Sequence, residues 1–132
     1  MNVARLVAVP AVLLVSIAGA AGCGGDDAES TAAPAPKDGG GSLALRAVPG
    51  QLRYDKAQLS APAGKVTIVM ANASSVPHDV DLEGNGVSAD GAVVGEGKTS
   101  TVSADLKPGT YTFFCSVSGH RQAGMQGTLT VR

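Results

Sequence analysis

Between Leu43 and Arg132, apolar and polar residues alternate in short runs, and a turn signal breaks them about every ten residues. Successive side chains of a strand point to opposite faces, so each such run buries one face and leaves the other wet. No stretch of this region carries the 3.6-residue apolar period of a helix. The pattern predicts an all-β chain, folded as an antiparallel β-sandwich. Strands are expected at Leu43–Val48, Lys65–Asn72, His78–Glu83, Thr99–Ala104, Thr110–Cys115 and Thr128–Val131, with shorter extended pieces at Leu52–Tyr54, Gln58–Leu59 and Ala92–Val94. Pro49-Gly50, Pro62-Ala-Gly64, Gly84-Asn-Gly86 and Lys107-Pro-Gly109 supply the turns. In the longest run Val66, Ile68 and Met70 share one face. With only two Tyr, two Phe and no Trp, the core has to come mainly from Val, Leu, Ala and Ile.

The N-terminal third has a different character. A basic start ending at Arg5 leads into an uncharged run from Leu6 to Gly25, and small residues crowd Ala18-Gly-Ala-Ala-Gly22 before Cys23. These are the three parts of a secretory signal peptide, expected over 1–22. An uncleaved anchor is the competing reading, since 20 uncharged residues are long enough to span a bilayer. Pro10 and the small residues favour cleavage. Residues 23–42 hold no large apolar side chain and cannot offset the entropy of ordering, so they read as a flexible linker. The domain proper is expected over 43–132. Without the signal peptide the chain carries nine basic and 11 acidic residues, and neither this balance nor its sparse aromatics suits nucleic acid.

The chemistry is concentrated near the C-terminus. Cys115, His120 and Met125 follow one another at intervals of five, between two runs that alternate like strands. His78, preceded by Pro77, is the only other histidine of the chain. A thiolate, two imidazoles and a weak axial thioether are the ligand set of an electron-transfer copper site, comfortable with both Cu(I) and Cu(II). Strand parity puts Tyr111, Phe113 and Cys115 on one face and Thr112 and Phe114 on the other. Three donors therefore come from one loop between neighbouring strands, and His78 is delivered from another. Tyr111, four residues ahead of the cysteine after a turn, reads as a packing residue of the tyrosine-corner kind rather than a redox group.

Pro77-His78, Tyr111-Thr-Phe-Phe-Cys115 and His120 through Met125 resemble the cupredoxins, the small blue copper proteins that include plastocyanin, azurin and rusticyanin. Four residues separate Cys115 from His120 and four separate His120 from Met125, a spacing most similar to the rusticyanin pattern. The resemblance implies an eight-stranded Greek-key sandwich with one copper ion buried at one end. Many cupredoxins place Asn after the first ligand histidine, where its amide ties the ligand loops together. This chain has Asp79, which when ionised only accepts hydrogen bonds. Asn72 is a candidate for the missing amide. Separately, Ala20-Ala21-Gly22-Cys23 resembles a bacterial lipoprotein box, with Ala20 where Leu is preferred. It implies a lipidated Cys23; cleavage after Ala20 with a free Cys23, or a Cys23–Cys115 disulfide, are the alternatives.

These readings imply a monomeric one-electron carrier, lipid-anchored at the extracytoplasmic face of the membrane and meeting redox partner proteins. A soluble periplasmic or secreted form is the alternative location. A copper-delivery or storage protein of the same fold is the alternative function. Enzymes of this chemistry need further histidines for a second copper centre, and with both histidines committed no Ser-His-Asp or Cys-His arrangement is left.

Overall fold

In a computed structural model that describes residues 40–132, the alternation becomes eight strands. They are β1 (Ser42–Ala47), β2 (Gln58–Ala61), β3 (Gly64–Asn72), β4 (Asp81–Gly84), β5 (Val87–Ala89), β6 (Thr99–Leu106), β7 (Gly109–Phe114) and β8 (Gln126–Val131). The expected signal peptide over 1–22, the lipidation of Cys23 and the linker as far as residue 39 lie outside the described residues. Ser42, read from sequence as the last linker residue, opens β1.

One sheet has the order β1-β3-β6 and the other β2-β8-β7-β4-β5. Their inner faces supply the core expected from the alternation: Val66, Ile68 and Met70 of β3, Val102 and Leu106 of β6, Tyr111 and Phe113 of β7, and Leu129 and Val131 of β8. Burying each large apolar side chain contributes roughly 1.5–3 kcal/mol. Tyr54 packs its ring against Phe113 at 5.6 Å between centroids. Tyr111 donates its hydroxyl to Lys107 O at 2.9 Å across the turn that starts β7, which is the packing role expected of it.

Two expectations are corrected. The sandwich is not wholly antiparallel: β1 pairs with β3 and β2 with β8 in parallel. Side-chain alternation has the same period in both kinds of ladder, so pattern alone does not reveal direction. The strand expected at Ala92–Val94 is also displaced. Asn85 (φ 50°) and Gly86 (φ 79°) form a two-residue turn with both centres left-handed, the geometry of a tight type I′ hairpin. Pairing resumes at once, so β5 begins at Val87, and Val94 instead forms an isolated bridge with His78.

Candidate metal centre

β3 leaves the first sheet at Asn72, and the chain crosses to β4 of the second sheet through His78. Asn72 fixes this crossing. Its amide donates to Val76 O and to Val94 O, both at 2.9 Å, and its Oδ1 accepts from Ser74 N at 2.9 Å. Asn72 thus ties the His78 segment to Val94, but it does not reach the loop that carries Cys115 and His120. His78 exchanges backbone hydrogen bonds with Val94 in both directions, at 3.1 and 2.8 Å, so its ring is carried on a clamped backbone.

The other donors stand on the loop from β7 to β8. Cys115 N donates to Met125 O at 3.0 Å and closes the base of the loop. Met125 N reaches His120 O and His120 N reaches Val117 O, each at 3.0 Å. The left-handed φ of Gly119 (83°) and Gly124 (110°) allows the two sharp reversals this folding-back requires. Arg121 then ties the loop to its surroundings. Its guanidinium pairs with Glu83 of β4 and lies 4.0 Å from the centre of the Phe114 ring. Phe114 does face away from the core, as parity predicts, but it is half-buried beneath that arginine rather than an open surface contact.

The outcome is a convergence of three donors. His78 Nδ1 lies 3.1 Å from His120 Nδ1, and Cys115 Sγ lies 3.8 Å from His78 Nδ1 and 3.5 Å from His120 Nδ1. All three residues are buried, with His120 the least so at 9 % exposure. His78 Nε2, away from this point, is buried without a hydrogen-bond partner. The convergence is on the Nδ1 side of both imidazoles. Met125 is fully buried, with its backbone bonded to both Cys115 and His120.

Burial moves the titratable donors in opposite directions because it disfavours whichever form is charged. The Cys115 thiol is pushed up to about 11, first by desolvation and further by the Asp79 carboxylate, while the backbone N–H groups of Asp79 and Val117 work against the rise. His78 is pushed below the usual histidine range, first by desolvation and then by its proximity to His120. The metal-free centre thus favours a thiol and a neutral His78. A polarizable sulfur with two imidazole nitrogens, converging in a dry pocket, fits copper.

Four contributors carried no recognisable sequence signal. Tyr54, in a piece read only as extended, donates its hydroxyl to Asp79 O at 2.7 Å and props the loop behind His78. Ser116 donates its N–H to Asp79 Oδ1 at 2.7 Å and its hydroxyl to Oδ2. Arg121 and Glu83 are 38 positions apart, too far for any local pattern to join them.

The sequence profile of the copper-binding proteins of the plastocyanin/azurin family matches residues 42–132. Among solved structures, auracyanin B is similar with 26% identity and a TM-score of 0.63, over 74% of this chain and 91% of its own. An auracyanin from Roseiflexus castenholzii has 22% identity and a TM-score of 0.63, over 69% of this chain and 96% of its own. Auracyanin A from Chloroflexus aurantiacus, described as a "blue" copper protein, has 24% identity and a TM-score of 0.62, over 71% and 100%. Among curated proteins no sequence matches. Copper is the metal of this centre, and since the profile spans the whole sandwich with every one of the converging donors, the chain belongs to the plastocyanin/azurin family of copper-binding proteins, a cupredoxin.

Proposed function

We propose that the protein is a type 1 (blue) copper protein that carries single electrons, and that His78, Cys115 and His120 would hold its copper ion, with the Met125 thioether as a further, weaker donor. The observation that carries this reading is the convergence of three buried donors on backbones already clamped by Asn72, Val94 and the closed 115–125 loop. Copper held there supplies a one-electron couple, Cu(II) to Cu(I). The chain's part is to hold its donors still, so that little rearrangement accompanies the electron. It also excludes water, and it leaves one ligand near the surface. His120 is that ligand; exposed Ala123 and Gly124 follow it in the loop, and exposed Pro77 precedes His78, whose Nδ1 stands 3.1 Å from that of His120. Weakly charged surroundings of this kind suit brief docking of redox partner proteins. Deep burial of Cys115 and His78 favours a carrier over a delivery protein, which has to give up its ion. With both histidines committed to one centre, we read the protein as a carrier and not an enzyme.

The location belongs to the same proposal. The signal-like N-terminus and Cys23 support export, lipidation and a tether at the extracytoplasmic face. Conversion of Cys23→Ala should then move the protein to the soluble fraction, and continued membrane association would reject the lipid anchor.

The central test is addition of Cu(II) to the metal-free protein. An intense visible thiolate-to-copper band should appear in the wild type and be absent in Cys115→Ser. No band in the wild type, or the same band in the variant, overturns the proposal. Reversible voltammetry with rapid self-exchange supports a carrier, whereas ready loss of Cu(I) to a chelator supports delivery.

A further inference from the structure

Asp79 stands where the family resemblance leads one to expect an amide, and it is almost fully buried, at 1 % exposure. Its two carboxylate oxygens are both engaged by Ser116, Oδ1 by the backbone N–H at 2.7 Å and Oδ2 by the hydroxyl. Its backbone carbonyl accepts from Tyr54 at 2.7 Å. Asp79 follows His78 and Ser116 follows Cys115, so this one side chain bolts together the two segments that deliver the histidine and the thiol. An amide would bolt them equally well. Its single oxygen would accept the N–H, and the Ser116 hydroxyl would rotate to accept from its NH₂. What an amide would not bring is charge.

We infer that Asp79 is the residue that sets the redox balance of this centre, its buried negative charge beside Cys115 and His78 favouring the more positive, oxidised state and lowering the reduction potential. This rests on the copper reading above. The physical argument concerns sign. Oxidised and reduced centres differ by one unit of positive charge, and a fixed negative charge in a low-dielectric pocket stabilises the oxidised one more. The two Ser116 donors offset part of that charge. The remainder still acts at close range on the sulfur, since the carboxylate is bound to Ser116, the residue next to Cys115. Neighbouring charges move a pKa by about 1–3 units, and a one-unit change in metal charge should respond on a similar scale. Asp79 is a positioning and tuning residue; it is not proposed as a ligand. The consequence is a carrier suited to more strongly reducing donors than its amide-bearing relatives require.

The test uses three copper-loaded full-length proteins and a potential as readout. In Asp79→Asn, which keeps shape and hydrogen bonding, the ratio of Cu(I) to Cu(II) affinity should rise at least about tenfold, a potential increase of about 59 mV for one electron. In Ser116→Ala, which leaves the charge less compensated, the potential should fall. A merely structural tie predicts that both variants loosen the site, shift the visible band together and move the potential in the same direction. That result, or an unmoved or lowered potential in Asp79→Asn, overturns the assignment. Should Asp79→Asn fail to fold, a lowered potential in Ser116→Ala supports the assignment and an unchanged or raised one overturns it. Absence of the thiolate-to-copper band in the wild type overturns the copper reading and this assignment with it. A normal band with unmoved potentials overturns this assignment alone.

Discussion

Cys115 and His78 meet the same desolvation with opposite consequences. The thiol clings to its proton up to about 11, while His78 sheds its own more readily than an exposed histidine does. Pushed below the ordinary histidine pKa of about 6.5, His78 is already neutral above about pH 8. From there to about pH 10, therefore, copper has one proton to displace, the one on Cys115. Loss of a proton on binding means that affinity increases with pH, by about tenfold per unit for a single proton. The slope should flatten above about 11, where the thiolate forms without help. A second proton, from His78, should enter only below the usual histidine range of about 6.5, because burial and the nearby His120 push that imidazole down. Competition against a chelator of known affinity, repeated from about pH 6 to pH 10, measures this profile. A flat affinity between about pH 8 and pH 10 would mean that the thiolate exists before metal arrives.

At the scale of elements, the readable parts were those governed by local rules. Alternation in Lys65–Asn72 and Thr110–Cys115 placed the inward residues correctly, down to Cys115 leaving β7 on the side of Phe113. Pairing partners were not readable, because Ser42↔Thr67 and Gln58↔Thr128 are contacts between distant segments whose direction no periodicity encodes. Ala92–Val94 misled because it is apolar, although Val93 is 55 % exposed, and the two-residue Asn85-Gly86 turn was the stronger constraint. Likewise the donors of the centre were legible from residue type and spacing, whereas Tyr54, Ser116 and Arg121 act through side chains that only the folded chain brings near. Gly127 of β8 illustrates how tightly the two kinds of information are joined. A Cβ there would run into the Phe113 ring and come within 2.7 Å of Ala57 O. Gly127→Ala should cost about 2–3 kcal/mol through overpacking and lower Tm by roughly 10–20 °C. Gly95→Ala, with nothing within 4 Å of the added carbon and no left-handed φ, should leave Tm nearly unchanged. Equal Tm values for the two variants in a thermal melt would refute the packing argument at Gly127.

At the scale of the whole molecule, the centre lies where the chain passes between its sheets. His78 sits on the crossing from β3 to β4, while Cys115, His120 and Met125 sit on the link between two strands of the second sheet. His78 and Cys115 are 37 residues apart in the chain, and only the folded sandwich brings them together. Copper should therefore bind the native state far better than the unfolded one, and binding becomes folding stability. Free copper at about a thousandfold excess over Kd adds about 4 kcal/mol, which in a domain of this size raises Tm by roughly 15–30 °C. Thermal melts of the metal-free and copper-loaded wild type measure that shift directly. Cys115→Ser should lose most of it while melting near the wild type when both are metal-free, because the hydroxyl replaces the thiol in shape but not as a soft donor. A wild-type protein that shows the thiolate-to-copper band and yet melts at one temperature with or without copper would contradict this account. Its unfolded chain would then hold the ion as tightly as the folded one, and the clamped geometry would contribute nothing to binding.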